Sequence, residues 1–234
     1  MGILWSFFNP ILMLAIYTFV FSVVFKARWN VASDSKTEFA IVLFAGLIIY
    51  TIFAECVNRA PSLILSNANY VKKVVFPLEV LPWVPMGSAL FHAAISVMVL
   101  LVFLFIVTLS LNWTVLFLPI LVIPLVLFTM GVCWMLSSLG VYIRDVSQSI
   151  GIITTVLLFV SPIFYPVTQL PLKFQPFIYL NPLTFIIEET RNIIIWGKLP
   201  NFIGIGIYFC VSALIAWVGF WWFQKTRKGF ADVL

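Results

Sequence analysis

Charged side chains are scarce in this chain of 234 residues. Only 9% of the residues are Asp, Glu, Lys or Arg, whereas 63% are hydrophobic, and the mean hydropathy is +1.16. Soluble domains contain about 25% charged and about 45–50% apolar residues. A water-soluble domain this small would have to expose large apolar patches on its surface. The composition therefore excludes an ordinary soluble fold and indicates an integral membrane protein.

The sequence also lacks the common motifs of nucleotide hydrolysis and metal catalysis. The nearest match to a GxxxxGK[ST] loop, at 197–198, has Asn192 in place of the first glycine and Leu199 in place of Ser or Thr. The chain therefore does not bind ATP through a P-loop of its own. HExxH, GxSxG and clustered cysteines are absent as well, so we predict no catalytic residue and no metal site.

Long runs without Asp, Glu, Lys or Arg are the main positive feature. A helix needs about 20 mostly apolar residues to cross roughly 30 Å of hydrocarbon. Six runs approach or exceed this length: residues 7–25, 39–54, 84–111, 114–142, 146–165 and 202–223. Two of the links between these runs are very short, which requires antiparallel neighbours. We therefore predict an all-α integral membrane protein with six transmembrane helices, in a single domain over residues 1–234.

Two polar segments with several prolines interrupt the apolar runs. The first, residues 58–82, separates the second and third runs, and a short helix outside the hydrocarbon is expected over 62–75, after Pro61. The second, residues 166–200, separates the fifth and sixth runs. Its one helical stretch, over about 181–196, carries three charged residues and is too short to span. An interfacial or re-entrant helix fits it better.

Basic residues outnumber acidic ones, giving a net charge of +5. They lie in short loops and near the end of the chain, where they indicate membrane topology and contact with anionic headgroups rather than nucleic-acid binding. Six spans place both termini on one side of the membrane. The densest basic cluster is Lys225, Arg227 and Lys228, just after the last run, which predicts that both termini are cytoplasmic.

Ionisable groups inside the apolar runs are too few for an obvious proton pathway. Proton-coupled carriers place carboxylates or histidines within their spans, and here only Glu55 and His92 lie at or near such positions. A membrane enzyme acting on lipid headgroups would need clustered acids or histidines at one interface. Glu188, Glu189 and Asp145 are the candidates, and the predicted topology puts Asp145 on the opposite side from the other two.

Aromatic residues make up 17% of the chain. Most of the tryptophans fall near the ends of the apolar runs, as in an interfacial aromatic belt. Tyr17, Tyr50, Trp134 and Tyr208 lie deeper in the runs. Because sugar C–H faces stack on aromatic rings and sugar hydroxyls bind polar tips, these four are candidates for lining a carbohydrate path. Packing in the core or against lipid is the alternative for each of them.

Five short segments resemble, in the same order, segments of one family of membrane proteins. They are residues 4–10 (LWSFFNP), 67–82 (NANYVKKVVFPLEVLP), 142–146 (YIRDV), 161–166 (SPIFYP) and 181–184 (NPLT). The family comprises the membrane subunits of polysaccharide-exporting ABC transporters of the type-2 export class, which export O-antigen, capsule or teichoic acid. The resemblance extends over essentially the whole chain.

This resemblance implies a permease rather than an enzyme. The chain would form a homodimer and pair with two copies of a separate ATPase subunit, which would bind ATP and magnesium, while this chain would bind no cofactor. The complex would export a lipid-linked, O-antigen-like polysaccharide across the inner membrane of a bacterium, as in lipopolysaccharide biosynthesis. Two alternatives stay open: a type-2 exporter of drugs or other small amphiphiles, and the membrane enzyme acting on lipid headgroups.

The resemblance also assigns roles to the two polar segments. Segment 58–82 would contain a cytoplasmic coupling helix that docks on the ATPase, between spans two and three. Its candidate contact residues are Asn67, Asn69, Tyr70, Val71, Lys72 and Lys73. Segment 166–200 would form short gate helices at the outer side, between spans five and six. Its candidate gate residues are Pro166, Asn181, Pro182, Glu188 and Arg191.

Overall fold

A computed structural model describes residues 2–25, 29, 37–72 and 76–233 of the chain. All regular structure in these ranges is helical, which confirms the predicted all-α class. The α-helices are α1 (Gly2–Tyr17), α2 (Glu38–Ser66), α3 (Ala68–Lys72), α4 (Trp83–Thr108), α5 (Leu118–Tyr142), α6 (Val146–Val160), α7 (Gln175–Tyr179), α8 (Pro182–Ile194), α9 (Phe202–Thr226) and α10 (Phe230–Val233). A π-helical turn, Thr18–Val24, continues α1.

Four helical segments of the described chain are long and apolar enough to cross a membrane. They are Glu38–Ser66, Leu78–Thr108, Trp113–Tyr142 and Phe202–Gly229. The first and fifth predicted spans form shorter apolar helices, Trp5–Phe21 and Val146–Val160. α2 is largely buried within the chain, whereas α4 and α9 expose most of their apolar side chains, as helices in contact with lipid do.

The chain divides into two compact units. The first unit comprises Met1–Thr51, Phe91–Pro119 and Leu158–Pro200; the second comprises Ile52–Leu90, Ile120–Leu157 and Asn201–Leu234. Several long helices run from one unit into the other along the chain. Segment 166–200 belongs to the first unit, and segment 58–82 belongs to the second.

Glycines allow the helix backbones of the second unit to approach closely. A Cβ atom on Gly131 of α5 would lie 2.6 Å from the carbonyl oxygen of Ile215 on α9, and a Cβ on Gly219 would collide with the backbone of Gly131. On another side of α5, a Cβ on Gly140 would collide with the backbone of Pro61. Close contact through small residues is a common way to pack helices in membranes, where water drives no apolar association.

The expected helix break at Pro61 does not occur, and this part of the prediction is wrong. α2 continues through Pro61 to Ser66, because the loss of one backbone donor is tolerated inside a closely packed membrane helix. The chain turns instead at Asn67, whose amide Nδ2 donates to the carbonyl of Leu63 at 2.8 Å. α3 then begins as a separate helix, and the end of the predicted stretch, 73–75, lies outside the described residues.

Candidate functional site

A buried arginine forms the centre of segment 166–200. Arg191 lies on α8 and is 1% exposed. Its Nε donates to the carbonyl of Val42 at 3.0 Å. Its Nη1 donates to the carbonyl of Pro162 at 2.6 Å, and its Nη2 donates to that of Ile163 at 3.0 Å. The rigid fork of the guanidinium therefore joins α2, α8 and the turn after α6 within the first unit.

An aromatic ring and a glycine enclose the same guanidinium. Its central carbon lies 4.5 Å from the centroid of the Trp29 ring, a cation–π contact. Gly46 of α2 leaves the space that the guanidinium fills, since a Cβ at this position would lie 2.8 Å from Nη2 of Arg191. Sequence reasoning named Arg191 as a gate residue but missed Trp29 and Gly46, because a pattern of single residues does not show which of them surround a buried cation.

Burial shifts the pKa values of two charged groups on α8. Burial lowers the pKa of the Arg191 guanidinium to about 9, so it remains protonated at neutral pH. Burial also raises the pKa of the Glu188 carboxyl above its ordinary value. Glu189 is buried, and its Oε1 accepts a hydrogen bond from Nδ2 of Asn192 at 3.2 Å. Of the charged side chains on α8, Arg191 and Glu189 are therefore buried in protein, and Glu188 is partly buried.

The start of α8 follows the sequence prediction. The Oδ1 of Asn181 accepts a hydrogen bond from the backbone N–H of Leu183 at 3.0 Å, and Pro182 occupies the first helical turn. Asparagine at the N-cap followed by proline is a favourable helix start. The Nδ2 of Asn181 also donates to the hydroxyl of Ser161 at 2.8 Å, which ties α8 to the end of the fifth predicted span.

The end of α8 is held by residues 80 positions earlier in the chain, which sequence reasoning did not identify. The Nδ2 of Asn112 donates to the carbonyls of Ile194 and Ile195 at 3.3 and 3.0 Å. The hydroxyl of Thr114 donates to the carbonyl of Ile193 at 2.6 Å. These bonds occupy carbonyls that a helix end leaves without an intrahelical partner. Residues 112–114 match a glycosylation sequon, but the amide nitrogen of the asparagine is engaged in this cap.

An open cavity of about 560 Å³ lies in the first unit beside the end of α8. Pro166, another of the candidate gate residues, lines it together with Trp29 and Trp196. The structure thus brings the candidate gate residues into one unit, with Asn181 and Pro182 at the start of α8 and Arg191 near its end. Their role as a gate stays a prediction.

The candidate coupling residues lie in the second unit, after the end of α2. Asn69 and Tyr70 on α3 are exposed, and the Tyr70 ring stacks on Phe76 with the centroids 4.9 Å apart. The side chains of Val71 and Lys72, and all of Lys73, lie outside the described residues. α10, close to the C-terminus, contacts α3.

A pair of charged side chains holds the other end of segment 58–82. Nη1 of Arg227, just after α9, lies 2.9 Å from Oε2 of Glu79. The backbone carbonyl of Glu79 also accepts a hydrogen bond from Nε1 of Trp134 at 3.0 Å. The segment is therefore attached to both α5 and α9, an arrangement that charge patterning alone did not reveal.

The four candidate channel-lining residues fall into both units. Tyr17 and Tyr50 belong to the first unit and Trp134 and Tyr208 to the second. The Trp134 ring packs edge-on against Phe220, with the centroids 5.2 Å apart. Its polar tip binds the Glu79 carbonyl. This contact supports the packing alternative for Trp134, while the channel-lining role of all four stays a prediction.

Comparison with known proteins agrees with the resemblance drawn from the motifs. The family of ABC-2 type transporters matches residues 1–195. An O-antigen export system permease protein RfbA of Klebsiella pneumoniae is 30% identical over 236 residues, covering 100% of this chain and 88% of that protein. A protein of the same name from Myxococcus xanthus is 26% identical, with coverages of 99% and 87%. The polysialic acid transport protein KpsM of Escherichia coli is 23% identical, with coverages of 88% and 77%. A match over most of the chain to the family, together with near full-length similarity to these permeases, shows that this chain belongs to the ABC-2 type transporter family.

Proposed function

We propose that this chain is the permease subunit of an ABC transporter that exports a lipid-linked, O-antigen-like polysaccharide across the bacterial inner membrane. The observation that carries this proposal is the similarity to O-antigen export permeases over 99–100% of this chain. The missing P-loop is in keeping with ATP hydrolysis in a separate subunit, which would bind ATP and magnesium. In this role the chain itself performs no catalysis.

The proposed topology has six spans with both termini in the cytoplasm. The four long apolar helices would supply spans two, three, four and six, and α1 with its π-helical turn and α6 would supply the first and fifth. Segment 166–200 would then lie at the outer side and segment 58–82 at the cytoplasmic side. A polymer needs a continuous path rather than a closed pocket, so we place that path between two copies of the chain.

α2 links the two proposed sites along the chain. It is continuous from Glu38 to Ser66, and the carbonyl of Val42 in its first turns binds Arg191. Its other end leads directly into Asn67 and α3, the proposed docking surface for the ATPase. A movement of α3 on ATP binding would therefore pass through the turn at Asn67 and along α2 to the carbonyl that binds Arg191.

The aromatic path can be tested by single substitutions. Tyr17→Ala, Tyr50→Ala and Tyr208→Ala are expected to slow export at unchanged protein level if the rings line the polymer path. Trp134→Ala would also remove the hydrogen bond to Glu79, so its protein level has to be measured separately. Normal export by all four variants would refute the aromatic lining.

Purification of the tagged chain in mild detergent tests the central proposal. We expect an ATPase subunit to copurify in equal amounts. Replacing residues 69–73 with Gly-Ser should release it, since the replacement removes the proposed docking helix. A control Gly-Ser replacement of the four residues 171–174, an exposed stretch of the first unit, should leave the complex intact. Loss of surface polysaccharide on deletion of this chain would complete the case.

The same preparation distinguishes the alternatives. An ATPase partner whose activity rises with small amphiphiles, in cells whose surface polysaccharide is unchanged by the deletion, would favour an exporter of small molecules. A chain that copurifies with no ATPase would contradict the permease proposal. Glu55, His92 and the neighbouring acids Glu188 and Glu189 would then be the next residues to substitute.

A further inference from the structure

The cavity beside the end of α8 has the composition of a carbohydrate site. Its volume of about 560 Å³ lies within the range of about 300–1,000 Å³ that is usual for small-molecule pockets. Two indole rings, Trp29 and Trp196, two side-chain amides, Gln169 and Asn192, and the hydroxyl of Thr168 line it. Aromatic faces bind the C–H faces of a sugar ring, and an amide offers a donor and an acceptor to neighbouring hydroxyls.

The charges around the cavity favour a neutral ligand. Glu38 contributes one carboxylate to the lining and Lys198 contributes one ammonium group, so their charges cancel. Arg191, the residue best suited to bind a phosphate or carboxylate, is buried and already donates to three backbone carbonyls. Among the described residues that line the cavity, an anionic headgroup or acidic sugar would therefore find no surplus positive charge.

Contacts within the first unit support two walls of the cavity. Trp29 is buried and carries the Arg191 guanidinium over its ring. On the other side, the backbone N–H of Lys198 donates to the carbonyl of Asn192 at 2.9 Å. Gly197, which lies between Asn192 and Lys198 in the chain, makes this turn with a φ of +62°, a conformation that glycine adopts without strain. A preformed site loses little conformational freedom on binding, which favours affinity.

The second indole ring is the more exposed of the two. Trp196 is 40% exposed, whereas Trp29 is 8% exposed. Thr168 and Gln169 are also exposed. Trp196 is therefore the platform on which a sugar ring can stack from outside, and Trp29 forms a wall of the site.

We propose that this cavity binds one neutral sugar unit of the exported glycan at the outer side of the transporter. The proposal rests on the proposed function and on the topology given with it. Such a site would hold the emerging chain and oppose its return. The interaction has to be weak enough for the next unit to replace the last, as in other conducting pathways with several sites.

Site-specific photocrosslinking in cells tests the proposal. The photoreactive amino acid p-benzoylphenylalanine would replace Thr168 at the cavity or Leu172, which is 83% exposed and does not line it. The probe is the cell's own polysaccharide, exported by the full chain with its ATPase partner. After irradiation we expect the purified chain to carry glycan, detected by periodic acid–Schiff staining, at position 168 but not at 172.

A second pair of variants separates stacking from mere proximity. Trp196→Ala should lower the crosslink yield at position 168 roughly threefold to tenfold, from the loss of one aromatic platform. Trp113→Ala changes a 63% exposed indole of the same unit that does not line the cavity, and it should leave the yield unchanged. Both variants are compared at equal protein level and equal melting temperature.

Two results would overturn the sugar site while leaving the proposed function intact. One is equal glycan labelling at positions 168 and 172, and the other is an unchanged yield in Trp196→Ala, each in cells whose surface polysaccharide depends on this chain. If the polysaccharide persists when the chain is deleted, the proposed function itself is wrong, and the sugar site falls with it.

Discussion

Replacing Arg191 with methionine tests whether the guanidinium holds α8 against α2 and the turn after α6. The change keeps an unbranched apolar stem but removes the guanidinium and its donors to the carbonyls of Val42, Pro162 and Ile163. The first of these carbonyls lies within α2, where the helical pattern gives it a second partner. The other two lie in the turn after α6, so they depend more strongly on the guanidinium.

The expected cost follows from these contacts. A buried carbonyl left without a donor costs about 1–3 kcal/mol, so two of them cost about 2–6 kcal/mol. Methionine removes the penalty of burying a charge, which offsets part of this loss. We therefore expect Arg191→Met to lower the free energy of unfolding by about 2–4 kcal/mol, which corresponds to a fall in Tm of roughly 5–15 °C for a chain of this size.

Thermal unfolding of the purified protein in detergent measures this effect, with two further variants as controls. Arg59→Met changes an arginine whose side chain is 56% exposed and pairs with Glu55 at 3.0 Å, so it should cost no more than about 1 kcal/mol. Arg191→Lys keeps the charge but replaces the planar fork by a single ammonium group. It should therefore remain well below the wild type in Tm.

The reasoning would be refuted by a Tm of Arg191→Met close to that of the wild type. Full recovery of stability by Arg191→Lys would show that charge alone matters and that the three directed hydrogen bonds do not. Export should fall with stability in Arg191→Met and stay near normal in Arg59→Met.

Three further changes can be checked by the same unfolding assay. Gly219→Ala should cost about 1–3 kcal/mol because its Cβ would meet backbone on α5, whereas Gly206→Ala in the same helix meets nothing within 4 Å and should be neutral or slightly stabilising. Thr114→Val leaves a buried carbonyl of α8 without its donor and should cost about 1–3 kcal/mol, whereas exposed Thr155→Val should cost far less. Burial raises the pKa of Glu188, so the folded protein binds that proton more tightly than the unfolded chain does, and stability should fall as the pH rises from 4.5 through the folded pKa. Glu188→Gln should flatten this slope, and an unchanged slope would show that Glu188 is not its source.

Features that depend on a short stretch of chain were predictable from the sequence. The long apolar runs identified the membrane class and the four long helices, because hydrophobic length is a local property. The start of α8 was predictable as well, since Asn181 caps the helix through a bond to the N–H two residues later. The order of the short motifs along the chain indicated the family as well.

Features that depend on partners far apart in the chain were decided only by the tertiary structure. Pro61 predicted a helix boundary. In the structure the helix continues through Pro61 to Ser66, and the backbone of Pro61 packs closely against Gly140. Asn112 and Thr114 cap a helix about 80 residues away, and no local pattern marks them for that role. Cap residues of this kind can be identified only when the positions of the cap and of the distant helix end are both known.

The sequence by itself determined that this chain is a helical membrane protein and where its apolar helices lie, because hydropathy and helix caps act over a few turns. The tertiary structure decided that Arg191 is a buried connector and that Trp29 and Trp196 share one cavity. The same local sequence allows an arginine either to extend into water or to bury its guanidinium. Which one occurs depends on whether carbonyls and an aromatic ring from distant segments converge on it, and only the fold supplies them.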